Sequence, residues 1–242
     1  EIPKRDWSSD VCSSDLVKRA VMTTPYGVTA RGIQDQLVLD GHTEGVEGNP
    51  SRNAHYLQTK ISEALSNTVV SAKQIMAYFQ DVAATLADEN VPLVWTTPIG
   101  VRVTQSYWSL VQKRVSTLFG SLVLWEESKD LTLLKRKQVL ACSPNIVHSF
   151  DAAMLAETAL RMKEHGTTSF AFIHDSYGTH ASHTSALART LREVAVDIYK
   201  EDQLGKLHEE FQALVPNVPL PSPPARGTFN PSEVLKALYF FA

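Results

Sequence analysis

Between Leu57 and Leu86 the apolar side chains Leu57, Ile61, Leu65, Val69, Ala72, Met76, Phe79 and Leu86 recur mostly at three- and four-residue intervals. That spacing predicts a long amphipathic helix with one buried face. Leu187, Leu191, Val194 and Ile198 mark a second helix, and residues 151–165 read as a third, stopped at Gly166. Residues 18–24 permit a short helix that Pro25 should kink or end near Thr24, leaving Tyr26 and Gly27 at a bend. Shorter apolar runs predict strands. Residues 91–95 and 101–107 flank the turn Pro98-Ile99-Gly100, residues 122–125 and 138–140 flank the basic run Lys135-Arg136-Lys137, and residues 169–173 lead into His174-Asp175-Ser176. Residues 41–53 form a Gly/Asn-rich connection, and residues 216–224, with five prolines, a stiff extended connector. No segment repeats. The expected fold is α/β of the helix-rich, α+β kind.

Residues 6–16, rich in Ser and Asp, carry neither a helical nor a strand period and are expected to stay out of any packed element. They resemble one translated frame of a common sequencing adapter. Residues 1–16 are therefore expected to be non-native or disordered, with native sequence from about Val17. Composition adds only exclusions. With 23 Lys+Arg against 26 Asp+Glu, a formal charge of −3 and 43% hydrophobic residues over 242 positions, the chain is of ordinary globular character, and bulk charge does not mark a nucleic-acid binder. No run of about 18 apolar residues predicts a membrane span. Cys12 and Cys142 are too few for a metal cluster or a disulfide framework, and a reducing compartment is the simplest expectation.

Three constellations can carry chemistry. Lys18 and Tyr26 are eight residues apart; on a continuous helix that is about 800°, so they would project within about 80° of each other. A compact cation for phosphate oxygens and a ring for a sugar and base would need this arrangement, although a solvated Lys beside a core Tyr has the same spacing. Asp175 stands at the tip of an apolar strand, a rigid place for a Mg²⁺ ligand and equally a common turn residue. In Pro144-Asn145-Ile146-Val147-His148-Ser149-Phe150-Asp151, Ser149 can cap the following helix, and His148 can read a minor-groove edge or be a satisfied core histidine. The basic run at 135–137 reads first as a solvated face and second as a phosphate contact. A hydrolase metal site on His174, His180 and His183 lacks supporting carboxylates and carries little weight.

In this order, from Val17 to Ala242, the constellations resemble the C-terminal half of the single-subunit RNA polymerases of phages and mitochondria. The family's motif B, Arg-x3-Lys-x7-Tyr-Gly, is matched by Lys18, Tyr26 and Gly27, and its motif C, His-Asp-Ser, by His174, Asp175 and Ser176. Residues 144–149 match its Pro-Asn-x-Val-His-Ser element, and Tyr239-Phe240-Phe241-Ala242 looks like its aromatic C-terminal foot. The resemblance implies a right-hand polymerase with fingers at about 17–140 and palm at about 141–242. It implies DNA-directed ribonucleotide addition to an RNA 3′-OH by two Mg²⁺ ions, with DNA template, RNA transcript and ribonucleoside triphosphates as partners, no membrane, and a monomeric full-length enzyme. Asp175 would ligate metal, Lys18 would hold the triphosphate, Tyr26 beside Gly27 would sense the ribose 2′-OH, and His148 and His174 would face the substrate site. The implied setting is the cytoplasm of a phage or prophage host, or a mitochondrion. Two departures matter. Ser14 occupies the place of motif B's Arg, and the motif A Asp, which the family carries upstream, is not among these residues. The chain alone is therefore expected to be inert. A family A DNA polymerase, whose motif C has Glu where Ser176 stands, and a non-catalytic nucleic-acid-binding remnant are the alternatives.

Overall fold

The computed structural model describes residues 13–128 and 130–240, and the chain divides into two compact units, residues 1–77 and 78–242. Residues 6–12 of the Ser/Asp-rich stretch, with Cys12, and the terminal Phe241-Ala242 lie outside the described residues.

The first unit is helical: α1 (Ser13–Thr23), a 3₁₀ turn (Thr24–Tyr26), α2 (Ala30–Leu39), α3 (Pro50–Thr68) and the start of α4 (Val70–Asp88). Its core joins Ala20, Ile33, Leu37, Ala54, Ile61 and Leu65. Contrary to the sequence expectation, residues 13–16 open α1, because Leu16 lies one turn before Ala20 and packs with Val17 against this core. The long helix expected over 57–86 is two helices. The break falls at Val69, within the β-branched run Thr68-Val69-Val70, the part of the stripe with the weakest helix preference. Asn49 caps α3, its Oδ1 accepting from Ser51 N (2.9 Å), with Pro50 in the first turn. The hydroxyl of Thr29 caps α2, a helix the apolar pattern did not announce.

The second unit carries three separate two-stranded antiparallel hairpins, the α+β form of the expected helix-rich fold: β1 (Leu93–Thr96) with β2 (Arg102–Gln105), β3 (Leu110–Thr117) with β4 (Gly120–Glu127), and β5 (Phe170–Ile173) with β6 (Ser176–Thr179). Helices α5 (Lys135–Glu164), α6 (Thr184–Tyr199) and α7 (Gln203–Leu214) complete it, followed by an extended stretch and a 3₁₀ helix (Pro231–Lys236). Met154, Met162, Leu187, Leu191, Val194 and Ile198 form the core between α5 and α6.

Helix α5 corrects two expectations at once. Residues 138–140 are helix, not strand, and the helix expected to begin at Asp151 begins at Lys135 and runs through Pro144. Seven of its nine buried positions, 138, 142, 146, 150, 154, 158 and 162, keep strict i+4 spacing, but Gln138, Cys142 and Thr158 occupy three of them, so the hydrophobic period is hidden. Tertiary hydrogen bonds hold the helix on both sides of the proline. Gln138 and Gln105 exchange bonds in both directions, Asn145 Nδ2 donates to Gln105 Oε1 (2.8 Å), and Trp95 Nε1 donates to Ser149 Oγ (2.9 Å).

Candidate functional site

Hairpin β5–β6 presents Asp175. Ile173 pairs with Ser176, so His174 and Asp175 form a two-residue loop with both side chains exposed. His174 has φ +55°, the left-handed conformation in which Asn, Asp and His are over-represented among non-glycine residues. The pairing behind the loop is tight. A Cβ on Gly178 would stand 3.1 Å from Ala171 O, so the absence of a side chain there lets the strands close. Phe172 and Tyr177 face each other at 5.1 Å in an edge-on arrangement, and both rest on the α5–α6 core. The loop is thus an exposed carboxylate on an anchored base.

Helix α5 brings a second carboxylate near it. Asp151 follows His148 by three residues, placing both on one face of the helix, and both are exposed. Burial on its inner side pushes the Asp151 carboxyl above its usual value; His148 opposes this and the charge of Asp175 adds to it. Tyr177 and Tyr199 have phenols raised by burial and then by Asp151, with Asp175 also acting on Tyr177. His148, Asp151, Asp175, Tyr177 and Tyr199 therefore share one electrostatic neighbourhood. Ser149, expected to cap a helix, sits inside α5, donating to Ile146 O (2.7 Å) while accepting from Trp95. It anchors the turn that carries His148. Cys142, about two turns before Ser149, is fully buried with its thiol pushed up to about 12 by burial, the behaviour of a core residue.

In the first unit Lys18 is exposed on α1, and no ion pair among the described residues holds it; its neighbour Arg19 pairs with Asp40. The helix ends at Thr23 as Pro25 predicts, and Gly27 closes the 3₁₀ turn at φ +77°, its N–H donating to Thr24 O. Lys18 and Tyr26 thus do not lie on one continuous α-helix, and the 80° geometry, which assumed one, does not apply. Tyr26 remains 39% exposed, enough to offer a ring face to a ligand.

Among the described residues no group of three or more His, Cys, Asp and Glu side chains is disposed to hold a metal ion, and His174, His180 and His183 form none. The hairpin instead offers a hard oxygen donor at an exposed turn with a second carboxylate nearby. This fits Mg²⁺, which takes one or two carboxylates and completes its shell with water and substrate phosphates. The basic run opens α5 and is exposed, with Lys135 paired to Asp88 (2.6 Å) and Lys137 over the Tyr107 ring (5.9 Å).

Sequence reasoning missed Asp151 and Tyr177 as groups that feel the charge of Asp175, and Tyr199 as one that feels Asp151. The i, i+3 step from His148 was the one available signal for Asp151. Strand β3 also went unread, although its partner run was recognised. The hairpin β3–β4 is exposed along both strands except at the half-buried Val115, and its loop carries Leu118 and Phe119, each fully exposed.

The chain matches the model of a family described as DNA-dependent RNA polymerase over residues 5–221. It is 39% identical over 229 residues to "DNA-directed RNA polymerase 1, mitochondrial" of Nicotiana sylvestris, covering 93% of this chain and 23% of that protein. To "DNA-directed RNA polymerase 2A" of Nicotiana tabacum it is 36% identical over 229 residues, covering 93% of this chain and 68% of the relative. "DNA-directed RNA polymerase 3B, chloroplastic" of Nicotiana tabacum is 35% identical over 235 residues, 96% of this chain and 24% of its own length. The chain thus spans about a quarter of the length of most of these relatives. The DNA polymerase alternative gives way to this match, as the Ser after Asp175 anticipated. Because the match spans residues 5–221 and so runs through both units, the chain belongs to the DNA-dependent RNA polymerase family.

Proposed function

We propose that this chain supplies the nucleotide-binding and metal-binding side chains of a DNA-directed RNA polymerase, acting in template-directed addition of ribonucleotides to an RNA 3′-OH. The observation that carries this reading is the β5–β6 loop, a carboxylate exposed on a braced turn, whose charge is felt by Asp151 on α5. Asp175 holds Mg²⁺ there; when bound, that ion neutralises phosphate charge and stabilises the attacking and leaving oxygens of an in-line displacement. Lys18 binds the triphosphate as a point charge. Tyr26, beside the Gly27 bend, packs on the sugar and senses the 2′-OH. His148 contacts the nascent base pair, and His174 sets the direction of the Asp175 turn. Residues of about 17–140 serve as fingers and about 141–242 as palm.

One face of hairpin β3–β4 carries Gln112, Arg114 and Trp125, a donor-and-ring combination suited to nucleic acid. DNA template, RNA and ribonucleoside triphosphates are the partners this reading requires, and the full-length enzyme works as a monomer. No helix among the described residues is long and apolar enough to cross a membrane. The relatives' names carry the words mitochondrial and chloroplastic, which supports an organelle over the cytoplasm of a phage host.

The test is Asp175→Asn in an enzyme that joins this chain to an upstream segment supplying a second carboxylate. Loss of the ligand charge should lower the rate of nucleotide addition by about a thousand-fold or more while template binding stays within a few-fold. Full-rate elongation by the variant would refute the metal role. Absence of activity in the joined parent would instead favour the non-catalytic remnant.

A further inference from the structure

We infer that Arg192 is a positioning residue for the turn that carries Asp175, acting by clamping the C-terminal segment against the β5–β6 hairpin. Its importance for catalysis rests on the role proposed for Asp175; the clamp stands on geometry alone. Arg192 lies on α6 and is half-buried. One end of its guanidinium, Nη1, donates to Ala188 O on its own helix (2.8 Å), and Nη2 donates to Ala237 O, just past the C-terminal 3₁₀ helix (3.3 Å). The guanidinium carbon stands 5.9 Å from the centre of the Phe240 ring. Phe240 packs on the α5–α6 core together with Phe172 and Tyr177, the cross-strand pair that forms the base of the hairpin.

One cavity of about 430 Å³ is lined by Arg192 and Phe240 together with Asp175, Ser176 and Tyr177. The guanidinium therefore ties helix α6 to the segment that carries Phe240, and both line the same cavity as the turn with Asp175. An arginine suits this position because its planar fork can donate in two directions while its face lies on a ring, which an ammonium cannot do. With the fork removed, Phe240 loses its brace, the hydrophobic support under Phe172 and Tyr177 loosens, and the turn is no longer held in one direction.

Hydrogen exchange of the whole 242-residue chain tests the clamp, comparing the parent with Arg192→Met, Arg192→Lys and Phe240→Leu. Arg192→Met should speed exchange about ten-fold or more in both residues 231–240 and the β5–β6 amides, while β1–β2 is unchanged. Arg192→Lys should restore part of the protection in both segments together. If Arg192→Met unfolds the second unit, Phe240→Leu, which removes only the ring partner, should still loosen the hairpin. A hairpin that keeps parent-like protection while residues 231–240 exchange faster would overturn the clamp. Titration with Mn²⁺ alone, followed by line broadening at residues 174–176, reads the consequence: the midpoint should rise at least three-fold in Arg192→Met and return towards the parent's in Arg192→Lys. An unmoved midpoint in a loosened hairpin would overturn the positioning role. Failure of the parent to bind Mn²⁺ would count against the metal role of Asp175 and leave the exchange result to decide the clamp.

Discussion

His174 holds a left-handed backbone with a side chain that tolerates it, and Asp175 inherits its direction from that choice. A β-branched residue in the same conformation costs about 1–2 kcal/mol, and glycine carries no such strain. His174→Val should therefore lower the stability of the second unit by about that amount, and His174→Gly should leave it within about 0.5 kcal/mol because relief of strain and added chain entropy offset each other. Urea unfolding of the two variants checks this, and equal destabilisation by both would refute it. Tyr26 has its own test within the proposed reaction. Removing its hydroxyl by Tyr26→Phe should reduce discrimination between ribo- and deoxyribonucleotides by about ten-fold or more, read as the ratio of kcat/KM values, with the rate on ribonucleotides nearly kept. The turn positions of Tyr26 and Asp175 were legible in advance because each sits beside a local signal, the bend at Pro25-Gly27 for Tyr26 and the polar break between two apolar runs for Asp175. Asp151 was not legible as a neighbour of Asp175, because nothing in an i, i+3 spacing says which loop a helix face will meet.

The pairing of α5 with α6 depends on charge as well as on methionine and leucine. Asp197 on α6 accepts from Lys200 (2.6 Å) and from Arg161 on α5 (2.7 Å), and Arg161 also donates to Glu157 (2.8 Å). The bond from Lys200, then that from Arg161, lowers the Asp197 carboxyl below its usual value. A carboxyl whose pKa is lower folded than unfolded stabilises the fold above the unfolded value, about 3.9, and loses that contribution as pH falls through the folded value. The side chain is 40% exposed, so screening limits the effect to about 0.5 kcal/mol. Asp197→Asn should thus lower the melting temperature slightly at pH 7, and the difference from the parent should close as pH falls through the lowered folded value of the carboxyl and shrink in high salt. A difference that persists at pH 2 would assign the effect to packing. At this scale the sequence was read well where the pattern was apolar, as in α6 and in the β1–β2 and β5–β6 hairpins. It was misread in α5, where Gln138, Cys142 and Thr158 fill buried positions and hide the helical period.

Across the whole molecule, each unit has its own core, so damage to one is predicted to stay there. Met162 is fully buried between α5 and α6. Met162→Ala should destabilise the second unit by about 2–5 kcal/mol. Exchange should rise in α6 and β5–β6 while the amides of α2 and α3 keep their protection; parallel loss in α2 and α3 would mean that the chain unfolds as one cooperative body. The sequence by itself determined the family, the end of α1 and the hairpin that lifts Asp175, and it singled out Lys18, Tyr26, His148 and Asp175 as candidates. All of these depend on neighbouring residues: a proline's missing N–H, a glycine's free φ, an alternation of apolar and polar side chains. Only the tertiary structure decided that α5 runs unbroken through Pro144, that Asp151 lies in the field of Asp175, and that Arg192 joins α6 to the C-terminal segment. Those features are held by bonds such as Trp95 to Ser149 and Arg192 to Ala237, between residues 54 and 45 positions apart. Such partners are set by how the helices and hairpins pack, and local propensity carries no record of them.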